Sequence, residues 1–220
     1  MKRMVCDFDE TLVSTGPIHR QSFETITRRK ISDALAKNLR GKSDTEILRI
    51  LIPLGADLEN LLEERQKLLT EIAILVDVEK LKKPGLDEFV TWLRAEELKC
   101  AIASSSPNEF VKTIIKNLGI EDVFPVAIGA SVITKEEEKR KLPKGSLAKP
   151  NPFSVDLAAE KMSQDGKIIY LGDNEIDCLT CCQGNFLGII VTGNKELAEK
   201  YPTMVFRNNL KEVIDVIKGV

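Results

Sequence analysis

The 220-residue chain carries 32 Lys and Arg against 34 Asp and Glu, a net charge of −2. It is long enough for one substantial core plus a modest second unit, and it has no positive excess to draw it onto nucleic acid. No apolar run approaches the ~18 to 20 residues that cross a bilayer, and five cysteines, an odd number, do not read as a secreted disulfide framework. The chain enters its first apolar stretch without a signal-peptide pattern, so we expect reduced thiols, a cytoplasmic protein and no membrane partner.

The first element is the apolar run in MVCDFDETLV. If it is a buried strand, Asp7 and Asp9 leave its end on the same side, because extended backbone alternates its side chains with period two. Two carboxylates at one mouth repel unless a cation neutralises them, and Mg²⁺ is the expected partner for such oxygen ligands. From about His19 to about Lys80 the apolar residues recur at three- and four-residue spacing, as in TEILRILIPL and LENLLEERQKLLTEIAILV, which predicts an all-helical insert. Asp57 is placed to cap its last long helix, and Pro84 and Gly85 mark the return to the core. The core is therefore split, with residues 1–14 and 82–220 forming one domain and 15–81 the insert.

Beyond the return the pattern alternates. A helix around LDEFVTWLRAEE leads to a strand around KCAIAS, a helix around NEFVKTIIKNLG and a strand-like VFPVAIGA. The charged TKEEEKRKLPKGS reads as an exposed loop with no assigned function. Then follow FSVDLAAEKM (helix), KIIYLG (strand), IDCLTCCQ (helix), FLGIIV (strand), KELAEKY (helix), a short MVF strand and the helix NLKEVIDVIKG. This rhythm predicts an α/β fold with a doubly wound parallel sheet. Cys178, Cys181 and Cys182 lack the second Cys or His cluster that a zinc site needs, and read as packing. Three apolar runs end in chemistry: Asp7 and Asp9 after the first, Ser104 and Ser105 in ASSSP, Asp173 and Asp177 in GDNEID. Lys149 stands before a proline-led helix start in AKPNP. In an open parallel sheet such strand ends converge on one crevice.

DFDET, ASSSP, AKPNP and GDNEID, in that order across nearly the whole chain, resemble the haloacid dehalogenase superfamily of aspartate-nucleophile phosphohydrolases. The insert and GPIHRQSF resemble the helical cap of the branch that includes phosphoglycolate phosphatases and β-phosphoglucomutases. The resemblance implies a Rossmann-like core, a Mg²⁺ ion and a small phosphorylated metabolite, a sugar phosphate or phosphorylated organic acid, hydrolysed through an aspartyl-phosphate. Asp7 is implied as the nucleophile and Asp9 as the acid and base. Asp7, the Asp9 main-chain carbonyl and Asp173 are implied as metal ligands, with Asp177 supporting them. Ser104, the Ser105 amide and Lys149 would hold the phosphoryl oxygens, and Thr11 would fix the loop.

His19 and Arg20 would lie near the first hinge of the cap, or serve merely as polar residues of its first helix. Gly41 would let backbone approach the substrate, with Lys42 facing the leaving group. The chain departs from the family it resembles at Glu10, which takes the place of a frequent glycine, and at Asp44, which stands where the mutases of that family carry an arginine. Thr11 and Asp44 lean toward a phosphatase. A phosphosugar mutase of the β-phosphoglucomutase type, and a phosphometabolite-binding protein without turnover, are the two other readings.

Overall fold

The computed structural model describes residues 3–39, 42–53, 55–162 and 166–219; Gly41, expected to approach a substrate, lies outside them. Six strands form one sheet in the order β3-β2-β1-β4-β5-β6: β1 (Arg3–Cys6), β2 (Cys100–Ala103), β3 (Val126–Ile128), β4 (Ile168–Gly172), β5 (Leu187–Val191) and β6 (Val205–Arg207). Every pairing is parallel. Such sheets are buried on both faces, which is why these strands are short apolar runs without polar alternation.

The period of two is visible in the packing. Met4 and Cys6 of β1, Cys100 and Ile102 of β2 and Ile169 and Leu171 of β4 face one apolar cluster. Val5, Ala101, Ala103, Ile168 and Tyr170 face the other. The first face is covered by α5 (Leu86–Ala95), α6 (Asn108–Asn117) and α11 (Leu210–Gly219), the second by α8 (Phe153–Lys161) and α9 (Glu175–Gly184). The chain reverses direction across the sheet between β1 and β4, and the crevice outside their carboxyl ends is the natural ligand position of such a fold.

Between β1 and β2 lies the helical insert: α1 (Gly16–Thr27), α2 (Asp33–Leu39), α3 (Asp44–Leu51), α4 (Leu58–Leu75) and a 3₁₀ turn (Val78–Leu81). Asp57 caps α4 as expected, accepting from Asn60 N at 3.1 Å, and Ser43 and Glu46 form a capping box on α3. The insert has a small core of its own, built on Phe23, Ile31, Leu39, Ile47, Leu48 and Leu51. The second half of α4, through Leu69 and Ala73, instead joins the main core against α6. The two chain crossings are tied to each other: Ser14 N donates to Leu81 O at 2.6 Å and Lys83 N to Leu12 O at 3.1 Å.

One expected loop is a helix. The segment TKEEEKRK forms most of α7 (Ala130–Arg140); its Glu, Lys and Arg residues are good helix formers, and their charges gave no apolar stripe by which to recognise it. α10 (Lys195–Lys200) completes the set. All five cysteines are free, with Cys6, Cys100, Cys178 and Cys181 buried as packing and Cys182 exposed. Among the described residues no helix is long and apolar enough to cross a membrane.

Candidate active site

The residues singled out at strand ends meet in the crevice between β1 and β4, and they form two connected groups. In the first, Lys149 Nζ lies 2.5 Å from Asp7 Oδ1 and 3.2 Å from Asp177 Oδ1. All three side chains are almost wholly buried. Thr11 Oγ1 lies 3.1 Å from Asp7 Oδ2 and 3.4 Å from Asp173 Oδ1, so its hydroxyl bridges the ends of β1 and β4. Asp177 is fully used: Tyr170 OH donates to Oδ1 at 2.8 Å, and the Asp173 and Asn174 amides approach Oδ2 at 3.1 and 3.4 Å. Gly172 permits this arrangement, since a Cβ there would fall 2.3 Å from Asp177 Cβ.

One carboxylate oxygen from each of Asp7, Asp173 and Asp177 lies within 4.8 Å of the others. Burial, with the neighbouring Asp177, Asp173 and Asp9, pushes the Asp7 carboxyl well above its ordinary range, only partly offset by Lys149. Burial and then Asp177 push Asp173 up from 3.8 to about 7. Lys149 is itself held above its usual range, because Asp7 and Asp177 outweigh the burial that opposes its charge. Two buried carboxylates and a half-buried third, with a single ammonium among them, are short of positive charge. Their oxygen-only donors suit a hard divalent cation.

This has a thermodynamic consequence for the metal-free protein. Asp173 has a folded pKa above its unfolded one, so it takes up a proton on folding. The stability it contributes is fully present below about pH 4 and is lost as pH rises through about 7. Metal-free protein is therefore expected to melt at a lower temperature at about pH 8 than at about pH 5, with added Mg²⁺ stabilising it more at the higher pH. Equal Mg²⁺ shifts at both values would contradict this account of the acid cluster.

The second group surrounds Asp9, whose carboxylate faces the insert. Its Oδ1 accepts from Thr15 Oγ1 at 2.6 Å and lies 3.0 Å from His19 Nε2, and its Oδ2 accepts from Ser104 Oγ at 2.8 Å. His19 Nδ1 is 2.8 Å from Arg65 Nη2. A guanidinium can only donate, so Nδ1 must accept and the His19 proton sits on Nε2, aimed at Asp9. Arg65, 1% exposed on α4, also pairs with Asp44 on α3 and lies over the Phe23 ring. Burial alone would raise the Asp9 carboxyl, but the hydrogen bonds from His19 and Thr15 prevail and hold it well below the usual carboxylate range.

Ser104 therefore contacts Asp9 and accepts from Ser106 N at 2.9 Å; Ser105 is exposed in the turn after β2. No serine of ASSSP caps α6, whose N-cap position is Pro107. Arg20 pairs with Asp33 and Glu24 within the insert, away from the Asp9 group, and Lys42 is exposed. Sequence reasoning missed Thr15, Ser106, Arg65 and Tyr170. Arg65 had a signal, since it interrupts the apolar stripe Leu58, Leu61, Leu62, Leu69 of α4. Tyr170 had one too: it shares the face of β4 with Gly172, over which Asp177 packs.

Glu10 adopts φ 61°, the left-handed region where glycine is at ease and other residues are strained. Its carboxylate offsets this by tying both crossings together: Oε1 accepts from Gly16 N at 2.9 Å and both oxygens lie within 3.3 Å of Ser14 Oγ. Lys83 Nζ stands 3.5 Å from Oε2. Alanine would lose these bonds and keep the strain, whereas glycine would lose the bonds and release it. Denaturant titration should accordingly find Glu10→Ala less stable than Glu10→Gly by about 1 kcal/mol; the reverse order would show that the turn carries no strain.

The family model described as haloacid dehalogenase-like hydrolase matches residues 1–181. A phosphorylated carbohydrates phosphatase of Thermotoga maritima is 24% identical over 132 residues, 58% of this chain and 61% of that protein; the match thus spans under two thirds of the relative's length. The fold is similar to that of CbbY from Rhodobacter sphaeroides in complex with phosphate, with TM-score 0.76, 13% identity and coverage of 97% and 96% of the two chains. It is also similar to β-phosphoglucomutase from Clostridium difficile, with TM-score 0.77, 17% identity and coverage of 100% and 96%.

Proposed function

Because the chain belongs to the haloacid dehalogenase-like hydrolases, we propose that it is a Mg²⁺-dependent phosphatase acting on a small phosphate monoester, a sugar phosphate or phosphorylated organic acid. The observation that carries this reading is the cluster of Asp7, Asp177 and the half-buried Asp173, with Lys149 paired to the first two, at the reversal point of the sheet. The phosphatase name of the Thermotoga maritima relative supports the substrate class.

In this reading Asp7, the Asp9 main-chain carbonyl and Asp173 would hold the ion, and Asp177 would fix the surroundings through its four donors. When bound, Mg²⁺ supplies positive charge that screens the Asp7 carboxylate from the phosphoryl oxygens. Asp7 attacks phosphorus in line, a P–O bond to its carboxylate forms, and the bond to the leaving oxygen breaks as Asp9 delivers a proton to that oxygen. Water then attacks the aspartyl-phosphate, Asp9 takes the water's proton, and phosphate departs from a restored Asp7. In this reading Lys149, the Ser104 hydroxyl and the Ser105 amide would hold the phosphoryl oxygens.

The two environments divide the carboxylates by role. Asp9, kept as an anion by His19 and Thr15, is in the form that accepts a proton. The acid form arises when a phosphoryl dianion approaches or the insert lifts His19 away. We take residues 15–81 as a lid pivoting at the two crossings tied by Glu10, which admits substrate and excludes bulk water. The mutase reading has less support, because Arg65 is already engaged by Asp44 and His19, leaving that cation unavailable to a second phosphate. Both aspartates needed for turnover are present, which disfavours a binding protein.

The test is release of inorganic phosphate from a panel of sugar phosphates and phosphorylated organic acids, with Mg²⁺ and with chelator. Release that requires Mg²⁺ is expected. Silence toward every monoester, with activity only after priming by a sugar bisphosphate, would replace the phosphatase by the mutase.

A further inference from the structure

The loop between α7 and Lys149 is organised around one side chain that the chemistry above does not use. Lys135, Glu138, Lys139 and Arg140 of α7 are exposed, but Glu137, one turn beyond the buried Ile133, is 3% exposed. Burying a carboxylate is costly unless its charge is met. Among the described residues no Lys or Arg forms an ion pair with it. Its partners are main-chain amides: Gly145 N donates to Oε2 and Leu147 N to Oε1, each at 2.8 Å. Both donors belong to the loop, and Leu147 is two residues before Lys149.

The loop's other hydrogen bonds are short-range, while the Leu147 side chain packs it into the apolar cluster of Val5, Ala101 and Tyr170 on the sheet. Ser146 N donates to Pro143 O at 3.2 Å, Ala148 N to Gly145 O at 3.3 Å and Asn151 Nδ2 to Ser146 O at 2.9 Å. These fix the loop's internal shape, and Glu137 fixes where that shape sits relative to α7. Lysine is a flexible side chain with a compact charge, so its ammonium reaches a point between Asp7 and Asp177 only if its Cα is held. We propose that Glu137 is a positioning residue for Lys149, anchoring the Gly145 and Leu147 amides so that the Lys149 ammonium lies between the two aspartates. The inference rests on the phosphatase reading for its kinetic consequences, but not for the placement of the lysine.

The test uses the full chain with Glu137→Ala, Glu137→Gln, Lys149→Ala and the Glu137→Ala/Lys149→Ala pair. Acylation of lysines by an amine-reactive reagent, read residue by residue by mass spectrometry, reports placement without any activity. Lys149 should be protected in the parent and labelled about tenfold faster in Glu137→Ala, with an intermediate rate in Glu137→Gln, which keeps one acceptor oxygen. For turnover of the best ester, Glu137→Ala should lower kcat more than it raises KM, and should add less than about twofold when Lys149 is already alanine. Unchanged labelling of Lys149 in both Glu137 variants, or effects that multiply in the double variant, would overturn the proposal. A parent that hydrolyses nothing while the labelling responds as expected would instead count against the phosphatase reading alone. Where Glu137→Ala fails to fold, Glu137→Gln decides the matter on the same two readouts.

Discussion

Asp7→Asn is expected to lower phosphate release on the order of 10³-fold or more while leaving the fold intact. An amide cannot form the acyl-phosphate, and the neighbouring Asp9 and Asp177 are engaged elsewhere. Asp9 is held by Thr15, His19 and Ser104, and Asp177 has both oxygens occupied. Stability should change little, for two effects oppose. Burial and the neighbouring acids raise the Asp7 pKa, so ionising it costs stability, and asparagine removes that cost. Asparagine also takes one of two anions from Lys149, but Asp177 remains 3.2 Å away. Phosphate release and a thermal melt on the same preparation check both halves. Residual Mg²⁺-dependent activity within about tenfold of the parent would mean that the nucleophile lies elsewhere.

Lys149→Met should be the most destabilising change in the site. It keeps the stem's bulk and deletes the charge that faces Asp7 and Asp177, whose side chains are 8% and 1% exposed. Removing one member of a buried charged set costs about 3–5 kcal/mol, because the partners stay behind uncompensated. The sign with pH follows from Lys149 itself. Its folded pKa lies above its ordinary 10.5, so its contribution is fully present below that value and is lost only as pH rises through the folded pKa. At neutral pH the whole effect is expected, and it should shrink toward acid pH, where the carboxylates left behind are protonated. Turnover should also fall by about 10²- to 10³-fold, since the donor proposed to hold the phosphoryl oxygens is gone. A denaturant titration near neutral pH showing a loss under about 1 kcal/mol would place the ammonium outside the buried pair.

What could be read from the sequence, and what could not, follows from how far apart the cooperating residues stand. Asp7, Ser104 and Asp173 were legible because each follows a short apolar run that fits a buried strand, and strand ends in a parallel sheet have one place to converge. The helical insert was legible from the spacing of Leu58, Leu61, Leu69 and Ile72. The partners of Asp9 were not, because Thr15, His19 and Arg65 come together only when α1 and α4 pack, and no local pattern states that packing. α7 was hidden by its charge: TKEEEKRK has high helix propensity but almost no apolar face, so the loop expectation rested on solvation and failed where Glu137 turned inward. Glu10 was recognisable as a departure from the glycine of its relatives. Its part in tying the two crossings needed the positions of Gly16 and Lys83.

The most direct test of the central claim is capture of the covalent stage. With Asp9→Asn, which keeps the proposed nucleophile and removes the proposed acid and base, an aryl phosphate ester whose leaving group needs no proton should leave one phosphoryl group on the protein. Peptide mapping after acid quench should place it on Asp7. No such adduct should form when Asp7→Asn is added to the same background. Turnover by the parent with no adduct in Asp9→Asn, or an adduct on Ser104 or another side chain, would contradict Asp7 as the nucleophile and the aspartyl-phosphate route with it.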